Sequence, residues 1–317
     1  MMATTTASTL NTPNTGTIRL AIIGDLHSHW YEDDAEALES LGVDAALFIG
    51  DFGEEAIGLT RRVAEACTPK AVILGNHDAW YSLTAWARNK WIMSGAARGD
   101  AVYAGVTKQL EILGEDHVGY RGKAFRAASG TAFSVVGARP FSKGGNSWTE
   151  VAEFYRHNYQ VEDFGASADR IAEAVLSQPR ENTVIVAAHN GPSGLGSCHH
   201  DICGADFRPK AGDHGDPDLE MALQHVEAAG GHVPLVTGRR GGFEVVARET
   251  LLETLPEQAG QGDFVRRKIW RGFDRVWDTM VTRRRTSENV QTHVVESDTS
   301  YEIAASLLGA GVRVGQE

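Results

Sequence analysis

Four short stretches carry side chains whose types could do chemistry together: Gly24-Asp25-Leu26-His27, Gly50-Asp51-Phe52-Gly53, Gly75-Asn76-His77-Asp78 and Ala188-His189-Asn190-Gly191. Carboxylates and imidazoles crowded into one place repel or desolvate each other unless a cation joins them. Oxygen and nitrogen ligands without thiolate suit Zn²⁺, Mn²⁺ or Fe rather than Cu(I) or an iron–sulfur cluster. A carboxylate such as Asp51 could bridge two ions about 3.5–4 Å apart, an arrangement that holds a hydroxide and clamps a phosphoryl group. A lone Asp after a strand is normally a cap or turn residue. The gap from Asp25 to Asp51 equals the gap from Asp51 to His77, and each cluster follows an apolar run. That repetition argues for metal binding over coincidence.

The clusters need elements to bring them together. Short apolar runs at Ile18–Ile23, Ala45–Ile49, Ala71–Leu74, Phe133–Val136, Val184–Ala188 and Pro234–Thr237 predict buried strands. Between them, Ala35–Leu41, Ile57–Ala66, Val151–Tyr159, Ile171–Leu176 and Leu219–Ala228 predict helices. Strand–helix alternation predicts an α/β layered fold with helices on both sides of the sheets. In open α/β sheets, sites lie outside the carboxyl ends of strands. Neighbouring strand ends are about 5 Å apart, so the polar clusters converge.

The stretches GDLH at 24–27, GDFG at 50–53 and GNHD at 75–78 resemble the first three motifs of the calcineurin-like metallophosphoesterases. The resemblance spans about residues 18–246. GNHDAWYSLT, ILGEDHVGY, HNGPSGLG and GDHGDPDL also resemble a cyanobacterial and plastid-lineage subgroup of that family. The resemblance implies a four-layer α/β/β/α sandwich and a site for two divalent metal ions (Mn, Fe or Zn). It implies that Asp25 and His27 bind the first ion, that Asp51 bridges both, and that Asn76 and His189 bind the second. His77 would protonate the leaving alkoxide or stabilise the transition state, and Asp78 would orient His77 through a hydrogen bond. The implied function is a metal-dependent phosphoester hydrolase in which hydroxide held by the ions attacks phosphorus, acting on a phosphorylated small molecule or a phosphoprotein.

The sequence departs from the family at the closing Gly-His-x-His motif. The expected strand Val233–Thr237 runs into Gly238-Arg239-Arg240-Gly241-Gly242, with no histidine. His232 precedes that strand, and five strand residues at about 3.3 Å each put it roughly 17 Å from the correct end. His293, the one later histidine, has no context that recommends it. The departure implies weakened metal binding and activity, through a degenerate site or a missing internal segment. The alternative function is a non-catalytic binding or scaffold protein on the same fold.

Other stretches are weaker. Arg139, at the end of another strand, is a candidate to grip a substrate phosphate bidentately. Gly191–Gly196 is neither a P-loop nor a nucleophile elbow and is expected to be a flexible loop beside His189. Cys198-His199-His200-Asp201-Ile202-Cys203 lacks the second ligand pair a structural zinc needs. Asp213–Asp218 is expected to cap the helix that follows.

Composition bounds the rest. With 317 residues, 42% apolar and 23% charged, the chain is an ordinary globular one. The expected division is a tail over 1–16, a catalytic-fold domain over 17–246 and a C-terminal extension over 247–317. The extension is expected to be helical or irregular, with a basic amphipathic helix over Phe264–Thr286 docked on the acidic body or, as the alternative, on a membrane or an unidentified acidic partner. A net charge of -12 disfavours nucleic acid as a partner. No apolar run suffices for a membrane span. Residues 1–16 have no acid and no base and are expected to be a plain tail, with a short transit peptide as the alternative, rather than a secretory signal. Three cysteines suggest a reducing compartment, either cytoplasm or plastid stroma.

Overall fold

Parallel strands buried on both faces need continuous apolar runs, and the chain supplies them where the first sheet forms. The computed structural model describes residues 18–195, 197–198, 203, 212–239, 244–247, 282–285 and 288–297. β1 (Ile18–Gly24), β2 (Ala45–Phe48) and β3 (Lys70–Val72) lie parallel, with β2 between the other two and β3 at the edge. The second sheet holds β4 (Gly122–Arg126), β5 (Ala132–Gly137), β6 (Thr183–Asn190), β7 (Leu235–Arg239) and β8 (Glu244–Ala247), in that order. β5, β6 and β7 run parallel, so their carboxyl ends also share one edge.

Helices α1 (Glu32–Ser40), α2 (Ile57–Glu65), α3 (Ala85–Met93), α4 (Ala104–Leu113), α5 (Ala152–Tyr159), α6 (Phe164–Leu176) and α7 (Pro217–Ala228) connect the strands. Leu59 and Val63 on α2 stand one turn apart and are buried, as an amphipathic helix packed on a core requires. α6 starts at Asp163, whose carboxylate accepts from the Ala166 N–H at 2.8 Å. Pro217 opens α7 at the position where a missing N–H costs nothing. One buried hydrophobic cluster draws side chains from both sheets, including Ile22, Phe48, Val135 and Val186. The expected α/β sandwich is thus present: two sheets with helices around them. Among the described residues no helix is long and apolar enough to cross a membrane.

Backbone bonds stitch the two sheets together beside the strand ends. Phe141 N–H donates to the Leu74 carbonyl at 2.6 Å, and Val118 N–H to the Val72 carbonyl at 2.8 Å. Gly75 and Ser142 form an isolated parallel bridge. The Phe141 bond and the Gly75–Ser142 bridge hold the segment after β3 against the segment after β5, and the Val118 bond ties β3 to the segment before β4.

The expectation of a helical or irregular extension over 247–317 is corrected where the structure describes it. β9 (Thr282–Arg285) and β10 (Glu288–Ser297) pair antiparallel, and β10 lies antiparallel to β1 along its whole length, Ile18 opposite Ser297. The first sheet is therefore ordered β3-β2-β1-β10-β9. The driving interaction is the ladder of backbone groups along the open side of β1, a non-local partner that local hydropathy does not reveal. Residues 1–16 and most of the basic helix expected over Phe264–Thr286 lie outside the described residues; the part that is described, Thr282–Arg285, is strand.

Candidate metal centre

The chain after β1 turns sharply. Asp25, His27 and Ser28 have φ of 55°, 42° and 71°, and Asp51 after β2 has φ of 57°. Left-handed backbone at non-glycine residues is strained and persists where surroundings enforce it. Here a ladder of hydrogen bonds does so: Asp25 N–H to Gly50 O (3.0 Å), His27 N–H to Asp51 O (2.9 Å) and Ser28 N–H to Phe52 O (2.7 Å). Gly50, with φ of 91°, lies so close to Gly75 that a Cβ would stand 2.2 Å from the Gly75 nitrogen. A Cβ on Gly75 would come within 2.5 Å of both Asp51 Oδ1 and His189 Cε1. The glycines of the second and third clusters are therefore demanded by contact between the two turns.

This packing brings together the side chains of Asp25, His27 and Asp51, each offering a ligand atom within 4.8 Å of the others. A first-row cation bonded at about 2.1 Å spans such a set after a small contraction. Asp51 is fully buried, and His27 Nε2 stands 3.4 Å from Asp25 Oδ1.

His189, at the end of β6, reaches across from the second sheet. Its Nδ1 lies 2.6 Å from the Ile49 carbonyl, which can only accept, so Nδ1 carries the hydrogen. Nε2 then faces Asn76 Oδ1 at 3.2 Å and Asp51 Oδ1 at 3.4 Å. Electron-rich atoms gathered this way need positive charge among them, a proton or a metal ion. An imidazole that donates one N–H to a backbone carbonyl and aims its other nitrogen inward has the arrangement of a metal-ligating histidine. The donor set thus fits divalent cations.

His77 sits at the edge of this group. Its N–H donates to Asp51 Oδ1 at 2.9 Å. Its ring meets His27 edge-on, centroids 4.8 Å apart, and stacks on Trp80 at 4.6 Å and 22°.

Two expected roles are corrected. Asp78 does not orient His77. Its carboxylate, fully buried, accepts from the backbone N–H groups of Asp51 (2.9 Å), Phe52 (2.9 Å) and Gly75 (2.8 Å). The reason is the 3-10 turn Asn76–Ala79, which points residue 78 back at its own start. Burial, reinforced by the Asp51 charge, pushes the Asp78 carboxyl up to about 7.

Arg139 does not face a phosphate either. It is 3% exposed; Nη2 donates to Asp216 Oδ1 at 2.6 Å and Nε to Asp218 Oδ2 at 2.9 Å. Trp148, Tyr155 and Phe164 rings surround the guanidinium. Burial opposes its charge, but the two aspartates outweigh that and hold it protonated. Asp216, expected as a cap, spends its carboxylate on Arg139 and on Ser142 Oγ at 2.5 Å. Ser142 in turn accepts from Asn190 Nδ2 through its carbonyl at 2.8 Å, so the network braces the residue after His189.

The sequence reading missed Glu55 and Trp80. Glu55 N–H donates to the His77 carbonyl at 3.0 Å, and its Oε1 accepts from Tyr81 N–H and Ser82 Oγ, both at 3.0 Å. Asp78 and Glu55 are thus reciprocal braces, each reaching from one turn to the backbone of the other. The only available signal was the acidic pair Glu54-Glu55 straight after the second cluster. Burial pushes the Glu55 carboxyl up to about 7. Its folded pKa exceeds the unfolded value of 4.5. The native state therefore binds more protons, and stability present below pH 4.5 is lost as pH rises through 7. Glu55→Gln removes this loss. Urea unfolding at pH 5 and pH 8 should show the wild type losing about 2 kcal/mol more than the variant over that interval; parallel behaviour would refute the assignment.

At the end of β7, register sets Arg239 beside Asn190. A Cβ on Gly238 would stand 2.7 Å from the Gly191 nitrogen, so this strand end also packs against the His189 loop. Arg240–Gly242 lie outside the described residues. His232 is exposed before β7, and His293 lies on β10 opposite Ile22. Cys203 is buried, its thiol donating to the Pro192 carbonyl at 3.2 Å, while Cys198 is exposed; residues 199–202 lie outside the described set.

A family model described as calcineurin-like phosphoesterase matches residues 18–234. Among solved structures, the chain is similar to the protein TT1561 of Thermus thermophilus, at 14% identity and a TM-score of 0.40, covering 70% of this chain and 81% of that one. It is also similar to a dimetal phosphatase from Danio rerio, at 11% identity and a TM-score of 0.32, covering 67% and 78%. No curated protein matches the chain.

Proposed function

The chain belongs to the calcineurin-like phosphoesterase family, and from that premise we propose that it hydrolyses a phosphate ester at the centre formed by Asp25, His27, Asp51, Asn76 and His189. The observation that carries the reading is the placement of His189. Its proton is committed to the Ile49 carbonyl, and its other nitrogen joins the Asp51 carboxylate and Asn76 amide from the opposite sheet.

Asp25, His27 and Asp51 would hold one divalent ion, and Asp51, Asn76 and His189 a second; manganese, iron and zinc all suit these donors. When bound, such ions supply Lewis acidity and lower the pKa of water. The protein's own residues do the rest. Asp51 is held in place by the His77 N–H, and its backbone by Asp78. His77 is half-buried beside the centre, with its ring clamped between His27 and Trp80. From there it delivers a proton to the departing oxygen, as a general acid must from within hydrogen-bond reach. The substrate class is a phosphorylated small molecule or a phosphoprotein.

The end of β7 favours a second reading. Gly238-Arg239 supplies no imidazole there, which weakens metal affinity and suits a scaffold that has kept the fold without turnover. One experiment separates the readings. Metal-depleted protein is supplied with Mn²⁺ and phenyl phosphate. The hydrolase reading expects phosphate release that EDTA abolishes; absence of release with Mn²⁺, Fe²⁺ and Zn²⁺ alike would leave the scaffold.

A further inference from the structure

Among the described residues, the large hydrophobic side chains left exposed are Trp80 (43%), Trp86 (71%), Ile92 (39%), Met93 (86%) and Leu176 (47%). All but the last fall in one stretch that begins three residues after His77. Soluble proteins tend not to gather exposed apolar groups without a use for them. Trp80 is the member of this group that touches the candidate acid: its indole is stacked on the His77 ring, 4.6 Å away and tilted by 22°.

The position of His77 fixes where a leaving group can go. To give up its proton, His77 must stand about 2.6–3.2 Å from the ester oxygen. The His27 ring stands nearly perpendicular to the His77 ring, centroids 4.8 Å apart, and the His77 backbone is bound to Asp51 and Glu55. The His77 ring is stacked on the Trp80 indole, which is 43% exposed. A flat, electron-rich platform lying nearly parallel to the imidazole suits a second flat ring better than an alkyl chain of equal size.

We propose that Trp80 is the specificity-determining platform for the leaving group, and that the substrates are phosphate esters of aromatic alcohols. This rests on the hydrolase reading, with His77 as the acid. Trp80 contacts the ring of the leaving group and stabilises it by stacking, while the phosphoryl group lies on the metal centre.

The test uses two non-hydrolysable mimics of similar size, benzylphosphonate and cyclohexylmethylphosphonate, titrated calorimetrically into Mn²⁺-loaded protein. The wild type should bind the benzyl compound about three- to tenfold more tightly, the range expected from one aromatic pair. Trp80→Leu should abolish that preference, and Trp80→Phe should restore most of it by keeping a ring in place. Trp86→Leu should leave the ratio unchanged. Equal affinity in the wild type, or a preference that survives Trp80→Leu, overturns the proposal while leaving the hydrolase reading intact. Failure of both phosphonates to bind overturns the hydrolase reading and this proposal with it.

Discussion

Asp51→Asn should abolish turnover and weaken Mn²⁺ binding by at least about a hundredfold, the upper range for losses one shell further from a metal. Asp51 is fully buried, and one of its oxygens faces His189 Nε2 at 3.4 Å. Asparagine keeps the shape, tolerates the left-handed backbone and can still accept the His77 N–H. What it loses is the negative charge, which would balance the proposed cations at a place where water cannot. The variant should therefore remain folded, with a thermal transition close to that of the wild type, yet fail in calorimetric Mn²⁺ titration and in phosphate release. Retention of wild-type Mn²⁺ affinity would show that Asp51 serves packing alone.

Arg139→Met should cost about 3–5 kcal/mol of stability, the range for removing one partner of a buried ion pair. Without the guanidinium, Asp216 and Asp218 remain at 1% and 0% exposure with no cation beside them. Urea unfolding measures the loss. At a temperature where the variant stays folded, its KM should be near the wild-type value, because the side chain does not face the centre. The opposite pattern, a KM raised tenfold or more with stability unchanged, would return Arg139 to the role of phosphate grip.

The contrast between these residues shows what the sequence discloses. The grouping of Asp25, His27 and Asp51 was legible because they stand just past the ends of β1 and β2, and strand ends in a parallel sheet must be neighbours. The α/β architecture was legible for the same reason, from runs such as Ile18–Ile23 and Val184–Ala188. Arg139 was misread because its partners are 77 and 79 residues further along the chain. Nothing local announces that the chain will fold Asp216 and Asp218 over it. Asp78 was misread because adjacency to His77 in sequence suggested adjacency of side chains, whereas the tight turn sends the carboxylate back to Gly75 and Asp51. α3 has no apolar stripe: Trp86, Ile92 and Met93 all stand exposed, so its periodicity was invisible. β10 joins β1 across most of the chain's length, a pairing set by open backbone groups rather than by local pattern.

The braces around the centre also explain why it can be strained. Three positive-φ residues among the candidate ligands would each be costly in isolation. The ladder from Asp25–Ser28 to Gly50–Phe52, the Asp78 carboxylate on three N–H groups and the Glu55 carboxylate on the 81–82 segment hold them together. Positioning is thus delegated to groups that need not touch a substrate.

The most direct measurement is anomalous X-ray scattering from crystals soaked in Mn²⁺. The account expects a peak enclosed by Asp25, His27, Asp51, Asn76 and His189. Complete diffraction data with no peak among those side chains would contradict it.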